Sequence, residues 1–336
     1  MKSYKYSYYL LLLVLLNGCF FQKDKGPDVS SVDINISIET FYKDLFSFEV
    51  DSLEQNLPFL QNKYGEYFER YCASIIGTGL PSSDNFVKNM STFLSYEYNQ
   101  EVLDTISVLF KDLDRIDVEI KDSFKHLKYY FPNAEIPDIY YHISGFNQSV
   151  AVDSAWISVS IEKYLGNNCI FYEWLGTPVY LRKGMIPEKI APDIIKAYAM
   201  STYPFNSESD NLVNQMVYNG KILFFIKKMI PNISLNLLFD YTEDEVKWTR
   251  KHESKAWASL VEKKHLFSSD RTILQRYVGE SPFTFYFGQE SPGKMGNYFG
   301  YQIVSSYMKR NENVSIEELM TQNDGQYIFR HSQYRP

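Results

Sequence analysis

Cysteine is scarce in this chain, histidine scarcer than its length would suggest, and a long apolar run is missing altogether. The three cysteines stand at Cys19, Cys72 and Cys169, far apart and without neighbouring histidines, which excludes a zinc ribbon. The five histidines, His126, His142, His252, His265 and His331, include no pair four residues apart. That spacing is what a His-Glu-x-x-His zinc helix needs to aim two ring nitrogens at one metal. No stretch reaches the roughly 20 apolar residues of a membrane-spanning helix. Positive charge is short too: 34 Lys and Arg stand against 41 Asp and Glu, a net charge of −7. A nucleic-acid binder needs clustered cations to neutralise phosphates, so that class is excluded. What is abundant is aromatic surface, with 28 Tyr and 24 Phe. Disordered chains are poor in aromatics, so this composition marks a folded protein.

The amino terminus carries the most specific signal. Lys2 and Lys5 precede an apolar stretch through Leu10 to Leu16, and Leu16-Asn17-Gly18-Cys19 follows. A basic start, an apolar core of ~7–15 residues and a small residue at the cut make a secretory leader. The cysteine directly after the small residue matches the lipobox. Cleavage before Cys19 would free an amine beside a thiol, both acceptors for acyl chains such as palmitate. Several chains hold a protein to a bilayer far more firmly than one. An ordinary cleaved leader with a chance cysteine is the competing reading. Loss of the leader would take Lys2 and Lys5 with it and leave a more acidic mature chain. In an oxidising compartment Cys72 and Cys169 would either pair or stay as two separate thiols.

Residues 1–18 are therefore expected to be a lipoprotein signal and 19–36 a flexible tether, polar and broken at Gly26-Pro27. Residues 37–330 are expected to form one domain: helical over 37–130, a small sheet over 136–162, and helical again over 187–322. Val102, Ile106, Leu109 and Leu113 mark one apolar helical face. Asp138 to Gly145 and Ser149 to Asp153 read as strands joined by a turn at Asn147, and Trp156 to Ile161 as a third. Helices are expected over 187–201, 209–230, 233–240, 243–263, 270–278, 292–309 and 315–321. The fold class is α+β, mainly helical, with a small antiparallel or mixed sheet between helical segments.

Catalytic motifs are absent or incomplete. His252-Glu253 begins like a zinc helix but meets Ala256 where the second ligand belongs, so a solvated helix face is expected there. There is no Gly-x-Ser-x-Gly elbow. The pairs Asp112/Asp114 and Glu243/Glu245 are expected on solvated faces. Ser291-Pro-Gly-Lys294 lacks phosphate-loop spacing and is read as a helix start, with Ser291 the N-cap and Pro292 in the first turn. Gly296 and Gly300 then share one face and would admit another element closely. The four tryptophans, Trp156, Trp174, Trp248 and Trp257, are expected in the core.

Several segments together resemble the gliding-motility lipoprotein GldB family of the Bacteroidetes. They are Phe41 to Phe46, Ile161 to Gly166, Phe171-Tyr172, Met185 to Ile190, Val217 to Ile222, Lys228 to Pro231 and, most specifically, Ser291 to Met308. The resemblance implies a cell-envelope lipoprotein needed for gliding, lipid-attached at Cys19 to the inner or outer membrane and facing the periplasm. Protein partners in a motility or adhesin-secretion assembly are implied. The family is also similar to predicted zinc peptidases. The stretches matching their metal site, Ile194 to Met200 and Tyr218 to Lys221, hold no histidine, and Asn219 stands where a Glu is expected. The resemblance thus implies a degenerate zincin-like peptidase scaffold: no enzyme, no metal, no cofactor. A hydrolase with an unrecognised site and a periplasmic glycan or lipid binder are the alternatives. Asp51-Ser-Leu53, Asp104-Thr-Ile106 and Asp153-Ser-Ala155 also fit a short pattern that such bacteria O-glycosylate.

Overall fold

The computed structural model describes residues 26–336; Cys19, the leader and the start of the tether lie outside them. In chain order the elements are β1 (Ile38–Glu39), α1 (Phe41–Leu45), α2 (Leu53–Arg70), α3 (Phe86–Ser95), α4 (Glu97–Leu109), α5 (Asp114–Tyr130), β2 (Asp138–His142), β3 (Val150–Val152) and β4 (Trp156–Ser160). There follow α6 (Ile170–Trp174), α7 (Val179–Arg182), α8 (Ile190–Thr202), α9 (Leu212–Met229), α10 (Leu235–Phe239), α11 (Glu243–Glu262), α12 (Arg271–Val278), α13 (Met295–Arg310), α14 (Ile316–Thr321) and α15 (Gly325–Ser332). The mainly helical α+β class is what the sequence implied.

The sheet is mixed, in the order β1-β2-β4-β3. β1 and β4 run parallel to β2, and only β3 is antiparallel, on the outer side of β4. The expected pairing of the first two long strands across a turn at Asn147 therefore does not form. β4 sits between them, because its side chains are apolar or bonded on both faces and all five residues are buried.

Strand alternation gives the two faces different chemistry. Ile139, Tyr141, Ile157 and Val159 enter the main core with α5, α8, α9 and α13. On the other face lie Tyr140, His142, Trp156 and Ser158, against α1–α3. There Phe41, Tyr64, Tyr67, Phe68 and Tyr71 make a second apolar cluster. Tyr67 stacks on Tyr140 at 3.8 Å between centroids. α2 bends at Gly65, whose φ of 49° suits glycine alone.

α9 is the axis of the main core, apolar on nearly every side, as a central helix must be. It crosses α13 with the two backbones almost touching: a Cβ on Gly300 would lie 1.7 Å from the Met216 carbonyl oxygen, and one on Gly220 would lie 2.2 Å from Gly300. Gly296 is pressed in the same way against Val278 and Tyr277. The sequence placed these glycines in a close contact, and the partner is α9, with α12 beside it.

Helix ends follow local capping chemistry. Thr242 with Glu245, and Ser315 with Glu318, form complete capping boxes, and Asp270 and Asp324 cap α12 and α15. α13 departs from expectation. It starts at Met295, after Lys294 in the left-handed region at φ 55°. Ser291 is no N-cap: its buried hydroxyl donates to the Gly288 carbonyl at 2.7 Å and accepts from the Thr284 amide at 3.2 Å, closing the loop before the helix. Three short helices, α6, α7 and α15, lie outside the expected set. Leu109 is 45% exposed although it shares a heptad-like spacing with buried Val102 and Ile106.

The stretch expected to be tether is packed from Gly26 onward. Val29 is buried, and Ile34 and Ile36 lie against the main core. Both Cys72 and Cys169 are free.

Candidate functional site

Beyond the ends of β2 and β4 the chain builds a buried polar ladder. Register sets Tyr140 opposite Ser158 and His142 opposite Ser160. The Ser158 hydroxyl meets both His142 Nδ1 and the Tyr67 hydroxyl. Ser160 bonds to Ser144 at 2.7 Å. One oxygen of fully buried Glu162 accepts from the Ser144 amide (2.7 Å), the Ser144 hydroxyl (2.9 Å) and the Phe146 amide (3.1 Å). Burial holds the His142 imidazole down at about 3, so it is neutral at ordinary pH. Among the described residues, the grooves around Phe131, Trp248, Asn214 and Lys121 are lined by none of the ladder residues. The ladder's work is to fix the backbone after β2 against the turn after β4.

That turn carries a surface. The Tyr172 hydroxyl accepts from the Leu165 amide and donates to the Glu162 carbonyl, at 2.8 and 3.0 Å. Phe171 and Tyr172 both pack on Phe146. α6 is thereby held from beneath, and its other side faces out. Trp174 is 60% exposed, Leu175 54% and Val179 74%. Tyr98, at the start of α4, lies 6.2 Å from Trp174 edge to face, and Tyr96 lies 5.4 Å from Tyr98. Ile170 completes the patch. Charges stand around it: Glu173 pairs with Arg182 at 3.4 Å, and Lys163 lies over the Phe146 ring. An apolar aromatic centre with a charged rim is the anatomy of a protein interface, and Trp and Tyr are the residues that most often dominate binding there. The expectation that all four tryptophans are core thus fails at Trp174. Trp156 is buried, and Trp248 and Trp257 are partly buried against the main core. Sequence reasoning missed the patch because Ile170, Trp174 and Leu175 look like a core-facing stripe until their partner proves absent among the described residues.

A second polar cluster joins distant segments. Lys189 reaches Asp240 at 2.8 Å and Asp193 at 3.5 Å, and Lys294 reaches Asp240 at 3.4 Å and Glu280 at 2.9 Å. Tyr164 donates to Asp193 at 3.0 Å. Burial pushes the Asp240 carboxyl up, but the two ammonium groups outweigh it and hold the group below its ordinary value. The cluster is a clamp of two ammonium groups and three carboxylates. It ties the segments around Tyr164, Lys189 and Lys294, each of which carries part of the resemblance.

The other candidates are placed as follows. His252 stacks on Trp248 at 4.5 Å and bonds the Trp248 carbonyl. Glu253 accepts from Tyr298 and Tyr334, at 3.0 and 2.7 Å, so this face is not simply solvated. Glu245, read as solvated, also pairs with Lys183 at 2.6 Å. Asn219 bonds the Gln215 carbonyl within its own helix. In α8, Ile194, Ile195 and Ala199 are fully buried apolar residues. Among the described residues no group of three or more His, Cys, Asp or Glu could hold a metal. Of the three glycosylation patterns, Ser154 stands exposed in the turn between β3 and β4 and donates to Asp153, Ser52 donates to the Glu49 carbonyl, and Thr105 donates to the Glu101 carbonyl within α4. No described helix is long and apolar enough to cross a membrane.

The family model for the gliding motility protein GldB matches residues 22–336. No curated protein and no solved structure gives a match.

Proposed function

The chain belongs to the gliding motility protein GldB family, a family of lipoproteins, and from that membership we propose that it works without catalysis, as a docking part of a motility assembly. Cys19 is its lipid attachment, and the periplasm is the side it faces. The observation that carries the docking role is the exposed aromatic patch around Trp174, seated on a rigid buried ladder. A contact surface needs such a base, since rigid anchors lose little freedom on binding. The absence of any histidine between His142 and His252 supports a role other than zinc peptidase.

Trp174→Glu, made in the chromosomal copy, is expected to abolish spreading on agar. Protein level and melting temperature should stay at wild type, because substitutions at exposed positions usually change stability by only about 0.5 kcal/mol. Normal spreading by this variant would remove the patch from the mechanism.

The anchor has its own test. Cys19→Ser should move the protein from the membrane fraction to the soluble fraction and end palmitate labelling. An unlabelled variant that still sediments with membranes would refute the lipid attachment.

One observation favours a second reading, glycan binding. Trp248, His252, Tyr286 and Phe287, with Lys255 and Glu290, line a groove of about 400 Å³. Aromatic faces with polar groups at the edge suit a sugar ring. Binding of soluble cell-wall fragments, lost in Trp248→Ala, would move this reading forward.

A further inference from the structure

We propose that the bilayer lies under the amino-terminal end of the parallel strands and that the Trp174 surface points away from it. The inference rests on acylation at Cys19 and adds where on the fold the anchored chain departs.

Gly26 is pinned at a definite place. A Cβ there would lie 2.4 Å from Pro231 Cγ and 3.3 Å from His126 Nε2. Gly26 is the seventh residue after Cys19, and an extended chain spans at most ~3.5 Å per residue, so the acylated residue stays within about 25 Å of this point.

α5 converts that contact into a direction. Asp117, in its first turn, accepts from the Tyr141 hydroxyl at 2.8 Å, near the carboxyl end of β2. The helix then ends at Tyr130 and the chain returns to enter β2 at Asp138. α5 therefore runs opposite to β2. His126 lies nine residues beyond Asp117, ~13 Å further toward the strands' amino ends.

The aromatic patch is at the other end. The chain leaves β4 at Ser160 and reaches α6 through the turn that Glu162 clamps to the backbone just after β2. Trp174 and Val179 thus belong to the carboxyl ends of the strands, and Gly26 to the amino ends.

The surface near Gly26 also suits a bilayer with anionic headgroups. Lys121 and Lys125, one helical turn apart on α5, line a groove with Asp33 and the incoming chain.

The test uses full-length acylated protein in vesicles of phosphatidylethanolamine and phosphatidylglycerol carrying a nitroxide headgroup lipid. A fluorophore is placed at Asn232→Cys, exposed beside Pro231, or at Val179→Cys, in a Cys169→Ser background; buried Cys72 stays unlabelled. Quenching severalfold stronger at position 232 than at position 179 is expected. Equal quenching, or stronger quenching at 179, in protein that still floats with the vesicles would overturn the orientation and leave the anchor standing. Protein that does not float would overturn the anchor and the orientation together.

Discussion

Gly300→Leu should prevent or cripple folding, with a loss of about 3 kcal/mol or more if any native protein forms. Overpacking a core usually costs ~1–3 kcal/mol because side chains can shift. Here the obstacle is backbone: even the first added carbon would lie 1.7 Å from the Met216 carbonyl oxygen. The only relief is to part α9 from α13, and that opens the main core along its central helix. At roughly 2 °C per kcal/mol for a chain of this size, the melting temperature should fall by about 6 °C or more. Gly300→Ala should already show much of the effect. A variant that melts with wild type would mean that the crossing is loose and that α9 does not organise the core.

Acid should begin to destabilise the protein as pH falls below about 6.5, the ordinary value of a histidine. His142 titrates at about 3 in the fold, against an ordinary value of 6.5. Between those values the unfolded chain binds a proton that the folded one refuses, so stability rises with pH across that window. The contribution is fully present above pH 6.5 and is lost as pH falls toward 3. The slope is about 1.4 kcal/mol per pH unit, so about 2 kcal/mol should vanish between pH 7 and pH 5. Burial raises Asp117 and Glu119, and these two groups work in the opposite sense. Paired urea titrations at the two pH values measure the net effect. His142→Gln should flatten the dependence, whatever its effect at pH 7. A wild-type protein equally stable at pH 5, or a variant with the same slope, would show that the ladder opens to water.

Glu162 and Tyr172 explain why the patch could not be read from the sequence while its supports partly could. Both fall in segments that carried the family resemblance, yet nothing in their spacing says that one carboxylate clamps Ser144 and Phe146. That pairing depends on β4 lying beside β2, and the shorter loop favoured a hairpin instead. Burial of all five β4 residues decided otherwise. Ser291 failed for a related reason. Its Pro-Gly context fits a helix start, but Thr284, seven residues back, and Gly288 hold its hydroxyl, and Lys294 takes the left-handed turn instead.

By itself the sequence determined what is local and periodic. The helices expected to begin at 243, 270 and 315 begin at Glu243, Arg271 and Ile316, where the caps Thr242, Asp270 and Ser315 act on backbone within one turn. Alternation marked β2 and β4, and the spacing of Gly296 and Gly300 announced a close approach. Tertiary structure alone decided which element meets which. It put β4 inside the sheet, α9 across Gly300, Lys189 and Lys294 on one carboxylate, and Trp174 in solvent rather than in the core. Burial is a property of the assembled fold: an apolar residue has the same local pattern whether or not another segment arrives to cover it.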